Sequence, residues 1–264
     1  MPDNVIDGAQ ELLVDTVAAL NGASIRDFVV IGGWCPYLRN NSGLRHPGTL
    51  DVDLLFRGGD REGALKPAIE ALMQKGFILS AKHSFQLLLE KRVGNQRLVY
   101  NVDLLHPDES ELHPEMFVDQ LDLDIPMDAE ERQVKKMKSI GSSNSAVVFE
   151  EKLYSEFSLK GATFNLIDFT GMFLTKMDSC QNVKRDRDAF DIYVGLLSKG
   201  INFDTVSRIR EDEARVRKSL DRLIEHLSKD GELFNERVHK FLSPDHRAQE
   251  SPALGLLRNL QVIG

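Results

Sequence analysis

The chain of 264 residues contains little cysteine and no long apolar segment. Its two cysteines, Cys35 and Cys180, have neither CxxC nor disulfide-framework spacing, which favours a reducing compartment over a secreted, disulfide-bonded domain. A membrane span needs about 20 nearly uncharged residues, whereas the longest uncharged stretches, 28–38 and 139–149, have eleven residues each. The first residues also lack the basic start and apolar core of a secretory signal. We therefore expect a cytoplasmic protein that does not bind membranes.

Several catalytic motifs are missing as well. No histidines have HExxH or HxxxH spacing and no serine lies in a GxSxG turn, so zinc-protease and serine-hydrolase chemistry are not indicated. The net charge of 33 − 41 = −8 argues against a protein that binds nucleic acid over its whole surface. Local basic clusters do occur, at 135–138 and 184–187. With 42% apolar and 28% charged residues, the composition is that of a folded globular protein.

The spacing of apolar residues is typical of strands with a few helices in the first part of the chain and of helices in the second part. We expect an α+β fold, with a mixed β-sheet and flanking helices over residues 1–160 and a helical domain over 161–264. The predicted strands are 28–31, 50–56, 77–81, 85–92, 98–105 and a hairpin of 146–150 with 153–159. The predicted helices are 7–21, 34–38, 61–75, 168–180, 186–197, 211–227 and 233–242.

Two carboxylates, Asp51 and Asp53, alternate with apolar residues along one predicted strand. Side chains at i and i+2 of a strand point to one face, with α-carbons about 6.6 Å apart. Charges in apolar surroundings need a cation or strong hydrogen-bond donors, and Mg²⁺ prefers oxygen ligands. The tetrapeptide Val-Asp-Leu-Leu of 52–55 recurs at 102–105, which gives Asp103 the same setting. If the two strands are neighbours, three carboxylates meet and can hold two Mg²⁺ ions for phosphoryl transfer.

Other interpretations of these carboxylates stay open. Asp51 can instead cap its strand, and Asp103 can pair with a nearby arginine or lysine. A second DxD motif, Asp122 and Asp124, alternates in the same way, but it lacks an upstream glycine turn and ends at Pro126. We interpret that second motif as a solvated strand edge.

The first predicted strand ends in Gly32 and Gly33. Glycines at such a point let the backbone approach a ligand closely and leave amide groups to face phosphate. An apolar strand, a glycine pair, a short helix, a DxD strand at 51–53 and a later strand aspartate resemble the nucleotidyltransferase superfold over residues 25–105.

That resemblance implies roles for individual residues. It implies Asp51 and Asp53 as ligands of both metal ions. Asp103 is implied as the third carboxylate, which binds the catalytic metal and activates the acceptor hydroxyl. Gly32 and Gly33 are implied to hold the triphosphate, and Thr49 to line the nucleotide site.

The second half of the chain narrows the resemblance. A predicted apolar helix carries Lys176, and an Arg-Asp-x-x-Asp-Ile-Tyr segment begins at Arg187. This combination resembles the AbiEii-type (abortive infection) nucleotidyltransferases of bacterial toxin–antitoxin systems. The resemblance implies that Lys176 reaches nucleotide phosphate and that Asp191 helps to build the site, with Arg185 and Asp188 nearby. The alternative for these residues is a network of salt bridges within and between helices.

We therefore predict a Mg²⁺-dependent nucleotidyltransferase that binds a nucleoside triphosphate (NTP) and releases pyrophosphate. The toxin resemblance implies an acceptor hydroxyl on RNA, such as the 3′ end of tRNA, or on protein, and a cognate antitoxin as partner. A first alternative is an antibiotic nucleotidyltransferase of the aminoglycoside or lincosamide type, because an acidic protein suits a cationic drug. A second alternative is a non-catalytic nucleotide-binding regulator.

Overall fold

A computed structural model describes residues 4–57, 65–108, 120–121, 137–247 and 251–262. It confirms the predicted α+β class, because a mixed eight-stranded sheet is combined with helices. Within the described residues, no helix combines the length and apolar character needed to cross a membrane.

Strands predominate in the first half and helices in the second. The described strands are β1 (Phe28–Ile31), β2 (Asp51–Phe56), β3 (Ile78–Leu79), β4 (Gln86–Val93), β5 (Gln96–Pro107), β6 (Gln120–Leu121), β7 (Met137–Lys138), β8 (Ile140–Ser142), β9 (Tyr154–Leu159) and β10 (Ala162–Ile167). The described helices are α1 (Val5–Gly22), α2 (Trp34–Leu38), α3 (Leu65–Gln74), α4 (Ala146–Glu150), α5 (Phe169–Lys176), α6 (Asp186–Leu197), α7 (Phe203–Asp212), α8 (Ala214–His239), α9 (Pro244–Arg247) and α10 (Pro252–Val262).

The strand order in the main sheet is β3-β4-β5-β2-β1-β10-β9, and β8 pairs with the C-terminal end of β5. β2 runs parallel to β5 and antiparallel to β1, which makes the sheet mixed. Parallel neighbours need a crossover connection, and the chain between β2 and β5 includes α3, β3 and β4. β6 and β7 pair separately.

Helix α1 combines an N-cap with one apolar stripe. The side chain of Asn4 accepts hydrogen bonds from the backbone amides of Ile6 and Asp7, which have no partner inside the helix. The stripe recurs every three to four residues and is fully buried. Its largest members are Leu12, Leu13, Val17 and Leu20.

One face of the sheet packs against α1. Tyr100 on β5 donates a hydrogen bond to the carbonyl oxygen of Val5 at 2.8 Å, and Lys91 on β4 forms an ion pair with Asp15 at 2.6 Å. Side chains alternate between faces along a strand, so this face carries the even-numbered residues of β5. The odd-numbered residues, Asp103 among them, lie on the opposite face.

The chain divides into two compact units, each made of three segments. Unit 1 comprises 1–32, 49–142 and 155–166, and unit 2 comprises 33–48, 143–154 and 167–264. The boundary predicted at residue 160 lies between β9 and β10, inside unit 1. β10 groups with the sheet because it pairs with β1, more than 100 residues earlier in the chain.

The predicted hairpin of 146–150 with 153–159 is wrong. Residues 146–150 form the buried helix α4, although Val147 and Val148 are β-branched; burial in the fold here outweighs local strand preference. β9 instead connects to β10 through Lys160 and Gly161, whose φ values of 48° and 85° are those of a type I′ turn.

The C-terminal helices also differ from the prediction. The separate helices expected at 211–227 and 233–242 are joined in α8, which has non-helical backbone angles at Asp230. Helix α7 overlaps the predicted range 211–227 only at its last two residues, and α10 lies where no helix was predicted.

We expect Gly8→Ala to destabilise the protein, because a Cβ at Gly8 would overlap the hydroxyl of Tyr100 and lie 2.9 Å from a methyl of Val93. The overpacking should lower the free energy of unfolding by about 1–3 kcal/mol in urea titrations. Gly22→Ala is the matched control, since nothing lies within 4 Å of its Cβ. It should stabilise α1 by about 0.5 kcal/mol. Equal effects of the two changes would contradict the packing of α1 on this face.

Candidate active site

Two nearly identical pentapeptides pair in the centre of the sheet. Asp-Val-Asp-Leu-Leu of β2 lies parallel to Asn-Val-Asp-Leu-Leu of β5, with Asp51 opposite Asn101 and Asp53 opposite Asp103. Residues in register on adjacent strands share a face and are about 4.8 Å apart. The predicted neighbour relation of these two strands is therefore correct, and the structure places all three carboxylates on one face.

Asp51 is oriented by a buried hydroxyl. Thr49, which is only 1% exposed, donates a hydrogen bond from Oγ1 to Oδ1 of Asp51 at 2.5 Å. Asp51 itself is partly buried. Thr49 thus lies beside a carboxylate in the predicted site and limits its rotation.

Asp103 is held by two amides on the same face. Gln86 Nε2 and Asn101 Nδ2 donate to Oδ1 of Asp103 at 2.8 and 3.0 Å. Burial raises the pKa of Asp103, and the negative charge of Asp51 adds to that effect. The two amide hydrogen bonds act in the opposite direction but are outweighed. Asp103 is therefore a stronger base than an ordinary aspartate.

Gly32 is required where it stands. Its φ of +71° lies in the left-handed region, and a Cβ at this position would overlap Oδ2 of Asp53. The backbone that follows β1 therefore lies directly against the Asp53 carboxylate. Gly33 has an ordinary φ of −71° and is the N-cap of α2, in unit 2.

The three carboxylates supply the oxygen ligands that Mg²⁺ prefers. Their side chains point to different neighbours: Asp51 to Thr49, Asp103 to its two amides, and Asp53 to Gly32. Accordingly, the described residues contain no cluster of three or more acidic, histidine or cysteine side chains arranged around a metal. The residue types and their common face fit a divalent cation, and holding one would require the carboxylates to rotate towards each other.

A buried ion network occupies the interior of unit 2. Lys176 Nζ donates to Oδ1 of Asp188 and to Oδ2 of Asp191, both at 2.6 Å. Burial by itself would lower the pKa of Lys176, but the two carboxylates outweigh it and raise the pKa. The network that sequence analysis left as an alternative for Lys176 is thus present. These contacts use two of the three N–H groups of the ammonium, and phosphate binding by Lys176 stays a prediction.

His46 completes this network. Its Nδ1 accepts a hydrogen bond from the amide of Gly48 at 3.0 Å, so Nε2 carries the proton and donates to Asp191 at 2.8 Å. The ring also stacks on Phe190, with centroids 5.7 Å apart. Burial would raise the pKa of Asp191, yet Lys176 and His46 together lower it.

The residues predicted for the site fall into both units. Unit 1 contains Gly32, Thr49, Asp51, Asp53 and Asp103, whereas unit 2 contains Gly33, Lys176, Arg185 and Asp191. Arg185 is exposed, directly before α6, and within the described part of the chain its guanidinium has no hydrogen bond or ion pair. Asp191 is fully buried.

Sequence analysis missed three polar side chains. Asn101 could have been found, because it occupies the place of Asp51 in the repeated pentapeptide. No local sequence pattern indicated that Gln86 contacts Asp103 or that His46 is the partner of Asp191. The rival motif at 122–124 and the lysines at 135 and 136 lie outside the described residues.

No family model and no curated protein matches this chain. A solved structure, that of an antigenic nucleotidyltransferase-like protein from Paracoccidioides brasiliensis, is similar over 86% of this chain and 92% of its own length. Its TM-score is 0.48 and its sequence identity 13%. Similarity of that degree assigns no function, which has to rest on the residues described above.

We expect Asp103→Asn to stabilise the protein at neutral pH. The raised pKa means that the native state binds this proton more tightly than the unfolded chain. The stabilising effect of the proton is complete below the ordinary aspartate pKa and is lost as the pH rises through the raised value. Urea titrations should give the variant and the wild type the same free energy of unfolding at low pH. As the pH rises above the ordinary aspartate pKa, the variant should become increasingly more stable than the wild type. Glu70→Gln, at an exposed position of α3, controls for the lost charge; a variant less stable at all pH values would contradict the assignment.

We expect Lys176→Met to lower the free energy of unfolding by about 3–5 kcal/mol at neutral pH, because two carboxylates would be left buried without their cation. The contribution of the ion pair is present above the ordinary aspartate pKa and is lost as the pH falls through the lowered pKa of Asp191. Denaturant titrations should therefore show a smaller penalty in acid. Lys184→Met, at an exposed position of unit 2, should change stability by less than about 0.5 kcal/mol.

Proposed function

We propose that this protein is a Mg²⁺-dependent nucleotidyltransferase that transfers a nucleoside monophosphate from an NTP to a hydroxyl. The observation that carries the proposal is the register of β2 with β5. It sets Asp53 beside Asp103 and keeps Asp51 on the same face. The left-handed Gly32, which follows β1, lies against Asp53 on the other side of β2.

Electrostatics favours a functional role for these carboxylates. Asp51 raises the pKa of Asp103, so the site retains a repulsion that would be relieved by substituting either residue. A threonine hydroxyl donates a hydrogen bond to Asp51, and two side-chain amides donate hydrogen bonds to Asp103. A carboxylate whose pKa is raised and that lies beside other acidic groups is typical of catalytic and metal sites.

The proposed chemistry assigns a proton acceptor and a leaving group. Asp103 accepts the proton of the acceptor hydroxyl, and the resulting oxygen forms a bond to the α-phosphorus. The bond from that phosphorus to the bridging oxygen breaks, and pyrophosphate leaves. Asp51, Asp53 and Asp103 would hold Mg²⁺, which when bound supplies charge neutralisation at the phosphates. The hydrogen bonds from Thr49 to Asp51 and from Gln86 and Asn101 to Asp103 would have to adjust as these carboxylates rotate towards the ion.

The predicted nucleotide contacts are part of the proposal. Gly32 lies directly against the Asp53 carboxylate, and contact of its backbone with the triphosphate is part of the proposal. Contacts by Gly33, Lys176, Arg185 and Asp191 stay predictions. Of these four, Arg185 has the side chain most exposed to a ligand.

For the acceptor, we keep the RNA end, such as the tRNA 3′ terminus, or a protein hydroxyl as the leading proposal, with a cognate antitoxin as partner. The net charge of −8 favours a second candidate, a cationic drug of the aminoglycoside type. A regulator that binds NTP without turnover is the remaining alternative.

The decisive experiment supplies each of the four α-labelled NTPs with Mg²⁺ and tests tRNA, the protein itself and an aminoglycoside as acceptors. We expect label on one acceptor class, and loss of labelling with Asp53→Asn or with a chelator. Asp103→Asn should reduce the rate by about 10²–10⁴-fold, the usual effect of removing a general base.

Glu70→Gln is the matched control for the loss of one carboxylate and should label like wild type. Equal labelling by Asp53→Asn would overturn the site. Saturable Mg²⁺-dependent NTP binding without any labelling would identify the non-catalytic alternative instead.

A further inference from the structure

Unit 2 contains a cavity that the proposed chemistry does not use. It has a volume of about 550 Å³ and lies between the C-terminal end of α6, the turn into α7, and α10. Leu196, Ile201 and Phe203 form its apolar wall. Sites for small molecules typically measure about 300–1,000 Å³ and are mainly apolar, with a few polar groups.

Two positively charged side chains line this cavity, although the protein as a whole is acidic. Lys199 and Arg258 both line it and both are exposed, whereas none of the described lining residues is acidic. Within the described residues, the ammonium group of Lys199 has no ion pair or hydrogen bond. Ser251 and Asn259 add polar groups to the lining of the cavity. The lining therefore combines an apolar surface with positive charge, which is complementary to an anion that has an apolar body.

A glycine on α10 lines the cavity. Gly255 lies inside the helix, where glycine is about 1 kcal/mol less favourable than alanine. Packing does not require it, because an added Cβ would meet only Leu196 Cδ2, at an ordinary 3.6 Å. The missing side chain adds to the space in the cavity at the expense of helix stability.

We propose that this cavity binds a small organic anion with an apolar body, whose charged group contacts Lys199 and Arg258 and whose body packs on Leu196, Ile201 and Phe203. The binding is independent of nucleotidyl transfer, because every lining residue belongs to unit 2 and none is assigned to the chemistry.

The probe for this site is anilinonaphthalene sulfonate, an aromatic anion whose fluorescence rises in apolar surroundings. Titration of the full chain should show saturable binding of one probe per chain. Decanoate, an anion with an apolar body, should displace it, whereas inorganic phosphate should not. Displacement by phosphate as effective as that by decanoate would overturn the requirement for an apolar body.

Two substitutions at Gly255 locate the probe. Gly255→Phe should fill the cavity and abolish binding, while Gly255→Ala, which fits without a clash, should keep binding within about twofold. Both replace glycine in a helix by a better helix former, so thermal unfolding should show folded proteins. Unchanged probe binding by folded Gly255→Phe would overturn the proposal.

Two lysines with the same backbone conformation test whether the positive charge of Lys199 contributes to probe binding. Lys199 and Lys152 have φ values of 51° and 52°, each directly after the end of a helix, and Lys152 does not line the cavity. Lys199→Gly should raise the probe Kd about tenfold, as expected for one charge-assisted contact. Lys152→Gly removes the same charge from an equivalent position and should leave the Kd unchanged. Equal effects of the two substitutions would overturn the assignment to this cavity.

Discussion

The in-register pairing of β2 with β5 is the interaction on which the candidate site depends. Side chains alternate along a strand, so a shift of one residue would send Asp103 to the face covered by α1. The apolar residues that alternate with the carboxylates prevent that shift, because they are buried on the opposite face. These residues, Val52, Leu54, Val102 and Leu104, are all completely buried. The same alternation thus builds the core on one face and gathers the acidic groups on the other.

Unit 2 depends on a different kind of interaction. Lys176 and His46 share Asp191, and the three residues come from α5, the loop before Gly48, and α6. A buried ion network of this kind adds little net stability, but each member needs the others once it is buried. Its physical effect is to connect α5, α6 and the segment around His46 in the interior of unit 2.

Local sequence patterns predicted some strands correctly and another strand wrongly. Alternation around Asp51 and Asp53, and the repeated tetrapeptide with Asp103, correctly predicted two strands that carry their carboxylates on one face, because both signals are local. The same reasoning predicted a strand at 146–150, where Val147 and Val148 instead lie on a buried helix. β-branched residues prefer strands only weakly, and burial in the fold can override that preference.

The sequence by itself determined the α+β class, the apolar face of α1, and the strands that carry the carboxylates, because each follows from spacing over a few residues. Only the tertiary structure decided that Gln86 and Asn101 hold Asp103, that Gly32 lies against Asp53, and which units the segments join. These contacts link residues far apart in the chain, and their free energies depend on burial and register. Neither quantity exists until the strands and helices have packed.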